Sequence, residues 1–223
     1  MVDADWERVL ATQRLIQAHF PECVLVGGTA AALHVHHRVS VDVDSVLVDL
    51  RRHFGDVLAQ LETLAGWNTS RVRPPVLILG HFEGVDVGLR QWRRAAPLET
   101  TTISGIVVPT HAETTRVKGW LVVTRNALRD FLDFAALAAG LGADFMTAMR
   151  PLDDLYPQRP GGETTRRQLM KQLAEPRPYD FDPEHNSRTL SAWRALTPPW
   201  TDWSYTVEFC RQLADQLMTE AMA

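Results

Sequence analysis

The chain has few cysteines, no long apolar run and no basic N-terminal segment, and each absence argues against one class of protein. Its only thiols are Cys23 and Cys210, so a disulfide framework like that of small secreted domains is not expected. No apolar run reaches the ~18 residues of a membrane-spanning helix. The acidic start MVDADWERVL lacks the basic-then-apolar layout of a signal peptide. We therefore predict a cytoplasmic protein without a membrane partner.

Neither sign of charge dominates the composition. There are 23 basic and 27 acidic residues, a net charge of −4, whereas general nucleic-acid binders are usually basic. The basic residues nevertheless cluster locally. These clusters predict solvated faces, or a basic groove if several of them meet in the fold. They are Arg71 and Arg73; Arg90, Arg93 and Arg94; Arg116, Lys118, Arg125 and Arg129; and Arg166, Arg167 and Lys171.

Apolar periodicity divides the 223 residues into two parts. In residues 1–109 it predicts helices over 3–19, 29–35 and 50–64, with strands over 23–26, 39–48, 76–82, 85–89 and 103–108. In residues 110–223 it predicts helices over 111–123, 126–139, 142–155, 162–174 and 204–221, with an irregular segment over 175–203. Thr110 and Glu113 fit a capping box at the first of these helices. The fold class is therefore α+β, with a mixed-sheet core followed by a C-terminal helical bundle.

Asp42 and Asp44 are the first residues that indicate chemistry. Residues two apart on a strand face the same way, so both carboxylates share one face. Two adjacent carboxylates repel each other unless a cation lies between them. A pair of Mg²⁺ ions roughly 4 Å apart would suit them and an in-line nucleotidyl displacement. The alternative is an exposed edge strand with two solvated aspartates.

A glycine turn precedes these aspartates. Gly27, Gly28 and Thr29 lie between a predicted strand and a predicted helix, where free backbone N–H groups and a hydroxyl can bind phosphate. A plain tight turn is the alternative. The spacer to Asp42 suffices for a short helix and a return to a neighbouring strand. Asp86, in a later strand, would then be a third carboxylate or a base, unless it is only a hairpin residue.

This pattern of a glycine pair, an Asp-x-Asp strand and a later aspartate resembles the polymerase-beta-like nucleotidyltransferase superfamily. Gly27-Gly28-Thr29-Ala30 with the Arg38–Asp44 segment, which includes Ser40, is similar to AbiEii/AbiGii-type nucleotidyltransferase toxins. The resemblance covers roughly residues 22–140. One departure from the superfamily is Ser45, which stands where an apolar residue is usual.

The resemblance implies further site residues in the second part. A helical lysine, an arginine one or two turns later, and an Arg-Asp pair followed by another aspartate match Lys118, Arg125, Arg129-Asp130 and Asp133. It implies that Lys118 contacts the triphosphate, that Arg38, Ser40 and Arg125 help to bind nucleotide, and that Asp130 orients Lys118 or Arg125. Surface helices with solvated basic residues and an ordinary salt bridge are the alternatives.

Histidines and tryptophans are weaker candidates. His34, His36 and His37 could bind a metal on a strand, but the alanine-rich context favours a helix, on which i and i+2 diverge. His36 or His37 could touch substrate instead. Tryptophans 193, 200 and 203 could stack on bases, although anchoring of the C-terminal segment is the favoured interpretation.

The leading hypothesis is an Mg²⁺-dependent nucleotidyltransferase. Asp42, Asp44 and Asp86 would hold the metals, and the enzyme would transfer NMP from an NTP. The resemblance implies an RNA acceptor such as tRNA and a role as the toxin of a toxin–antitoxin pair with a cognate antitoxin. Two alternatives remain: transfer to a small molecule such as an antibiotic or to a protein hydroxyl, and a non-catalytic nucleotide-binding domain.

Overall fold

The computed structural model describes residues 4–181, 190 and 195–221. The first half contains α1 (Ala4–His19), β1 (Val24–Val26), α2 (Gly27–Val35), β2 (Asp42–Leu47), α3 (Leu50–Glu62), β3 (Trp67–Arg73), β4 (Leu77–Phe82), β5 (Val85–Gln91), β6 (Thr100–Ile103) and β7 (Ile106–Pro109). The second half contains α4 (His111–Arg125), α5 (Leu128–Leu141), a 3-10 helix (Gly142–Asp144), α6 (Phe145–Met149), α7 (Leu152–Leu155), α8 (Thr165–Ala174) and α9 (Trp203–Ala221). The predicted α+β class, a mixed sheet followed by helices, is confirmed.

The chain divides into two compact units. The first comprises Met1–Leu33 and Val39–Thr110, and the second comprises His34–Arg38 and His111–Ala223. The predicted domains, 1–109 and 110–223, differ mainly in leaving His34–Arg38 with the first part. That short segment belongs to the helical unit because its side chains bond there, as described below.

The first unit is built on a five-stranded sheet in the order β1-β2-β5-β4-β3. The β2 and β5 strands are parallel, and the remaining neighbours are antiparallel. Alternate residues of the central strands, such as Val43, Val87 and Leu89, are buried in a core that also includes residues of α1 and α3. This alternation places Asp42 and Asp44 of β2, and Asp86 and Arg90 of β5, on the opposite face of the sheet.

Two predictions for the strands were wrong. Trp67–Arg73 forms the edge strand β3, which sequence patterning missed because most of its residues are exposed. The single strand predicted over 103–108 is instead the hairpin of β6 and β7, which turns at Ser104 and Gly105 with φ of 52° and 79°. The predicted hairpin around Glu83-Gly84 is present, and its two-residue turn pairs Phe82 with Val85.

The second unit packs its helices around α5, where the residues from Leu128 to Ala138 are buried except for Arg129. Gly119 of α4 makes a close approach possible, since a β-carbon there would lie 3.1 Å from Leu169 and 3.2 Å from Phe134. The helix predicted over 142–155 is divided into three short helices, with Pro151 before the last one. At the start of α4, the Thr110 N–H donates to the Glu99 carbonyl at 2.7 Å, whereas a capping box would pair it with the Glu113 side chain.

One stretch bears on the expectation about membrane-spanning segments. Leu128–Met149 is long and apolar enough to cross a membrane by length and composition, with a mean hydropathy of 1.3. In this structure 56% of its most apolar 18-residue window is buried within the protein, and the stretch contributes core residues such as Phe131 and Phe134. Core helices of that length and composition pass the same test.

Candidate functional site

The glycine turn lies directly beside Asp44. The β1 strand pairs antiparallel with β2 so that Val26 lies opposite Asp44, and Gly27 follows with φ of 76°, a conformation that favours glycine. A β-carbon on Gly27 would lie 3.3 Å from the Asp44 β-carbon. Thr29, buried in the first turn of α2, donates its hydroxyl to the Asp42 carbonyl at 2.5 Å. The turn and the aspartate strand are therefore one locally bonded structure.

Asp42, Asp44 and Asp86 lie on one face of the sheet. Asp42 pairs with Asp86 in the parallel β2–β5 ladder, and Asp44 pairs with Gly88. Since β2 lies between β1 and β5, the alternative of an exposed edge strand is wrong. Asp42 and Asp86 are exposed at the start of their strands, whereas Asp44 is half-buried.

Two basic side chains of the same sheet bond to these carboxylates. Arg90 donates to Asp44 Oδ1 from Nε at 3.2 Å and from a terminal nitrogen at 3.1 Å. His81 forms an ion pair with Asp86 across the β4–β5 hairpin, where the two residues are paired in register. A guanidinium therefore holds Asp44, and an imidazole holds Asp86.

The residue types at this face fit a divalent cation. Carboxylate oxygens are the hard donors that Mg²⁺ prefers. Gly88 leaves the position of the Asp44 carboxylate clear, because a β-carbon there would lie only 2.8 Å from Oδ1. Within residues 4–181, 190 and 195–221, no three His, Cys, Asp or Glu side chains gather closely enough to hold a metal as they stand. An ion bound by Asp44 would have to compete with Arg90.

The other predicted catalytic residues form a buried ionic cluster in the second unit. Lys118 Nζ lies 3.2 Å from Asp130 and 2.7 Å from Asp133. Arg38 donates to both oxygens of Asp133, at 2.7 and 3.0 Å, and His37 Nε2 lies 2.7 Å from the same carboxylate. All of these side chains are less than a tenth exposed. In this structure, Lys118 and Arg38 therefore bind carboxylates of α5.

The cluster fixes the charge of Asp133. Burial alone would raise the pKa of its carboxyl group. The charges of Arg38 and Lys118 and the hydrogen bonds from His37 and Arg38 outweigh burial, and they hold that pKa well below its usual value. Asp133 is thus an anion at neutral pH, with partners on several sides.

The remaining predicted residues are scattered. Ser40 is buried just before β2, whereas Arg125 and Arg129 are exposed at the end of α4 and the start of α5. His34 stacks on His111 at 5.1 Å, and no described group of three ligands supports a histidine metal site. The nucleotide contacts of Ser40 and Arg125 stay predictions.

Trp200 and Trp203 pack against other aromatic side chains, as the anchoring interpretation predicts. Trp200 is buried against Tyr205 and Phe209, and Trp203 packs edge-on against Phe131. Trp193 lies outside the described residues.

Sequence reasoning missed the role of Arg90 and His81. His81 could have been found, because a two-residue turn at Glu83-Gly84 places it opposite Asp86. Arg90 shares the parity of Asp86 along β5, but its contact with Asp44 depends on the parallel register between strands that are distant in sequence. Only the assembled sheet shows that register.

Solved structures with a similar fold come from Helicobacter pylori. One is the protein JHP933, with a TM-score of 0.59 and 15% identity over 97% of this chain and 91% of that chain. Another is a protein provisionally assigned as a nucleotidyltransferase, with a TM-score of 0.61 and 15% identity over 98% of this chain and 97% of that chain. At this identity the likeness shows the fold alone. No family model matches the chain.

Curated relatives match only a part of the chain. This chain is 36% identical over 97 residues to the heme uptake protein MmpL11 of Mycobacterium tuberculosis. It is 33% identical over 137 residues to the mycolic acid-containing lipids exporter MmpL11 of Mycolicibacterium smegmatis. The chain spans 10% and 13% of the length of these relatives. The functions in these names belong to those proteins.

Proposed function

We propose that the protein is an Mg²⁺-dependent nucleotidyltransferase that transfers NMP from an NTP to an RNA acceptor, tRNA being the expected one. The observation that carries this proposal is the local structure around Asp44. A glycine turn with φ of 76° abuts that aspartate, and Asp42 and Asp86 face the same way on paired strands. The similarity of the whole fold to a provisionally assigned nucleotidyltransferase agrees with it.

Each residue of the sheet face has a role in this proposal. Asp42 and Asp44 would hold the metal, and backbone N–H groups of Gly27 and Gly28 would contact phosphate at the start of α2. Bound Mg²⁺ would neutralise charge on the phosphates and on the pyrophosphate that leaves. Arg90 would release Asp44 when the metal binds, because a guanidinium and a cation would compete for the same Oδ1.

In the reaction, the acceptor hydroxyl oxygen forms a bond to the α-phosphorus, and the bond from that phosphorus to the pyrophosphate oxygen breaks. Asp86 would take the hydroxyl proton. The His81 imidazole contacts the Asp86 carboxylate. The resemblance also assigns Lys118 to the triphosphate. In the second unit its ammonium lies 3.2 Å from Asp130 and 2.7 Å from Asp133, which engage two of its three N–H donors.

The biological role follows from the resemblance to toxin-type transferases. We propose that NMP addition to tRNA inhibits growth, and that a cognate antitoxin opposes it. Expression of the wild-type chain would then slow growth, and an Asp42→Asn variant would not.

The direct test incubates the purified protein with each labelled NTP, Mg²⁺ and total tRNA. We expect label on RNA with at least one NTP, and a loss of about a hundredfold or more for Asp42→Asn. The matched control is Asp56→Asn, because that side chain is 91% exposed on α3 and should leave transfer unchanged. Transfer of label to an antibiotic but not to RNA would show that the acceptor is a small molecule. NTP binding without transfer to any acceptor would reject the enzymatic proposal.

A further inference from the structure

A cavity of the first unit lies at the opposite end of the strands from the aspartates. It has a volume of about 510 Å³ and lies where β2 and β5 end. Its lining includes Val48, Arg51, Arg52, Gln91, Trp92 and Arg93. Asp42 and Asp86 stand at the beginning of the same parallel strands. The six residues of β2 separate the two places by roughly 20 Å at about 3.3 Å per residue.

The cavity is basic on an acidic protein. Three guanidinium groups line it, and Asp49 is the single acidic residue among its lining residues. Asp49 lies 3.7 Å from Arg52, so it offsets one of the three charges. No described carboxylate lies within ion-pairing distance of Arg51 or Arg93. Two positive charges are therefore available to an anion.

One side-chain amide joins the segments that line the cavity. Gln91 donates to the carbonyl groups of Val48 at 2.5 Å and Trp92 at 2.8 Å, and it accepts from the Arg51 N–H at 2.6 Å. These bonds join the end of β5 to the start of α3, so the arginines project from a fixed backbone. Since Gln91 uses the Arg51 N–H, the guanidinium groups and not the helix terminus would bind the anion.

Apolar surface accompanies these charges. Val48 is 62% exposed, and Trp92 is half-buried, with its ring held by a hydrogen bond to Ala96 and by the Arg94 guanidinium at 5.3 Å. Arginines for phosphate beside an aromatic and an aliphatic side chain for a base are the arrangement of nucleic-acid binding surfaces. A free NTP that reacts at Asp42 is too short to reach both places, whereas a polynucleotide is not.

We infer that this cavity binds the phosphate backbone of the acceptor RNA at a distance from the reacting end. The inference rests on the proposed function for its choice of RNA. Arg51 and Arg93 contact phosphates, and Val48 with Trp92 accommodates a base or ribose. The cavity thereby selects a polymeric acceptor over a small one, although the protein as a whole is acidic.

The test measures RNA binding without turnover. Binding of a labelled tRNA is followed by fluorescence anisotropy in the Asp42→Asn background, without NTP, at several salt concentrations. We expect the Arg51→Gln/Arg93→Gln double variant to bind at least about tenfold more weakly, and the salt slope to fall by about 1.4, or 0.7 for each phosphate contact. Arg51→Lys/Arg93→Lys should restore part of the affinity, because charge without the guanidinium fork is retained.

The matched control is Arg8→Gln/Arg211→Gln. Both arginines are more than half exposed and each pairs with a carboxylate three residues away, so the same charge is removed elsewhere. Unchanged tRNA affinity in the cavity variant, or an equal loss in the control, would overturn the inference. Weakened binding of free ATP with tRNA binding intact would show instead that the cavity takes a free nucleotide.

NMP transfer by the wild type and tRNA binding by the cavity variant distinguish failure of the proposed function from failure of the RNA site. If the wild type transfers no NMP but the cavity variant loses tRNA affinity, the RNA site stands and the reaction is rejected. If transfer occurs and the cavity variant binds tRNA normally, the reaction stands and the RNA site is rejected.

Discussion

Neighbouring residues confine Asp44 on several sides. Gly27 lies on one side, Gly88 pairs with it across the β2–β5 ladder, and Arg90 bonds to Oδ1. Both glycines occupy places where a β-carbon would press on the Asp44 side chain. The position of the Asp44 carboxylate therefore depends on the missing β-carbons of Gly27 and Gly88 as well as on the hydrogen bonds from Arg90.

This confinement predicts the effect of a single methyl group. In Gly88→Ala the new β-carbon would stand 2.8 Å from Asp44 Oδ1 and 3.1 Å from Leu79, so the carboxylate has to move. We expect NMP transfer to fall by about tenfold to a hundredfold, and unfolding to cost about 1–3 kcal/mol less. Transfer kinetics and urea denaturation of the purified variant measure the two effects.

The control for this prediction is Gly55→Ala in α3, where a β-carbon would meet nothing within 4 Å. Alanine is favoured over glycine in a helix by about 1 kcal/mol, so this variant should be as stable as the wild type or more so. Equal transfer by Gly88→Ala and Gly55→Ala would refute the account of Asp44.

Ser45 shows that a departure from the superfamily pattern can be structural. Its buried hydroxyl donates to Gln13 Oε1 at 2.9 Å, and the Gln13 amide lies 3.7 Å from the Cys23 sulfur. The core thus satisfies the polar group, as buried hydroxyls require. Ser45 faces away from Asp44, so it carries no argument for a degenerate site.

At the scale of elements, the buried cluster around Asp133 ties three segments of the second unit together. Lys118 comes from α4, and Asp130 and Asp133 come from α5. Arg38 comes from the short His34–Arg38 segment, which precedes β2 in the chain but belongs to the second unit. Breaking one partner of a buried ion pair leaves an uncompensated charge, which costs more than the pair contributes. The cluster therefore fixes the arrangement of these segments whatever its catalytic role.

Removal of the central charge should destabilise the second unit. We expect Asp133→Asn to lower the free energy of unfolding by about 3–5 kcal/mol, because Arg38 and Lys118 then lose their shared anion. The exposed Asp56→Asn should change it by less than about 0.5 kcal/mol. Urea denaturation at neutral pH compares the two variants.

The same residue predicts the direction of a pH effect. The pKa of Asp133 is lower in the folded chain than in the unfolded chain, where it is about 3.9, so the folded state binds fewer protons. Its stabilisation is complete above that pH and is lost as the pH falls further. Below about pH 4 the wild type should therefore lose stability more steeply than Asp133→Asn. Parallel slopes for both proteins would contradict this assignment.

At the scale of the whole molecule, each unit has its own core and its own buried thiol. Cys23 lies in the core of the first unit and Cys210 in that of the second. Burial raises the pKa of Cys23 to about 11 and that of Cys210 to about 12. Since the thiolate is the reactive form, both should be inert at neutral pH while their own unit is folded.

Thiol labelling therefore reports the opening of each unit separately. We expect neither cysteine to react with an aromatic disulfide reagent at pH 7 in the native protein, and both to react in denaturant. Mass spectrometry of peptides after a pulse of reagent at intermediate urea assigns the label to Cys23 or Cys210. Rapid labelling of either residue without denaturant would show that its core is not closed as described.

Local rules were enough to predict most elements. Period-3.6 patterns predicted α1, α3, α4, α5, α8 and α9, and alternation with a two-residue turn predicted the β4–β5 hairpin. They failed at β3, because an exposed edge strand buries too little to show alternation. They also failed at the helix predicted over 142–155, since apolar periodicity does not show where a chain turns between short helices.

The sequence by itself determined the α+β class, the glycine turn and the shared face of Asp42 and Asp44, because each depends on neighbours along the chain. Only the tertiary structure decided that Asp86 stands beside Asp42, that Arg90 bonds to Asp44, and that His34–Arg38 belongs with the helices. These depend on strand order, parallel register and the pairing of buried charges. Such contacts join residues far apart in sequence, and no local pattern encodes them.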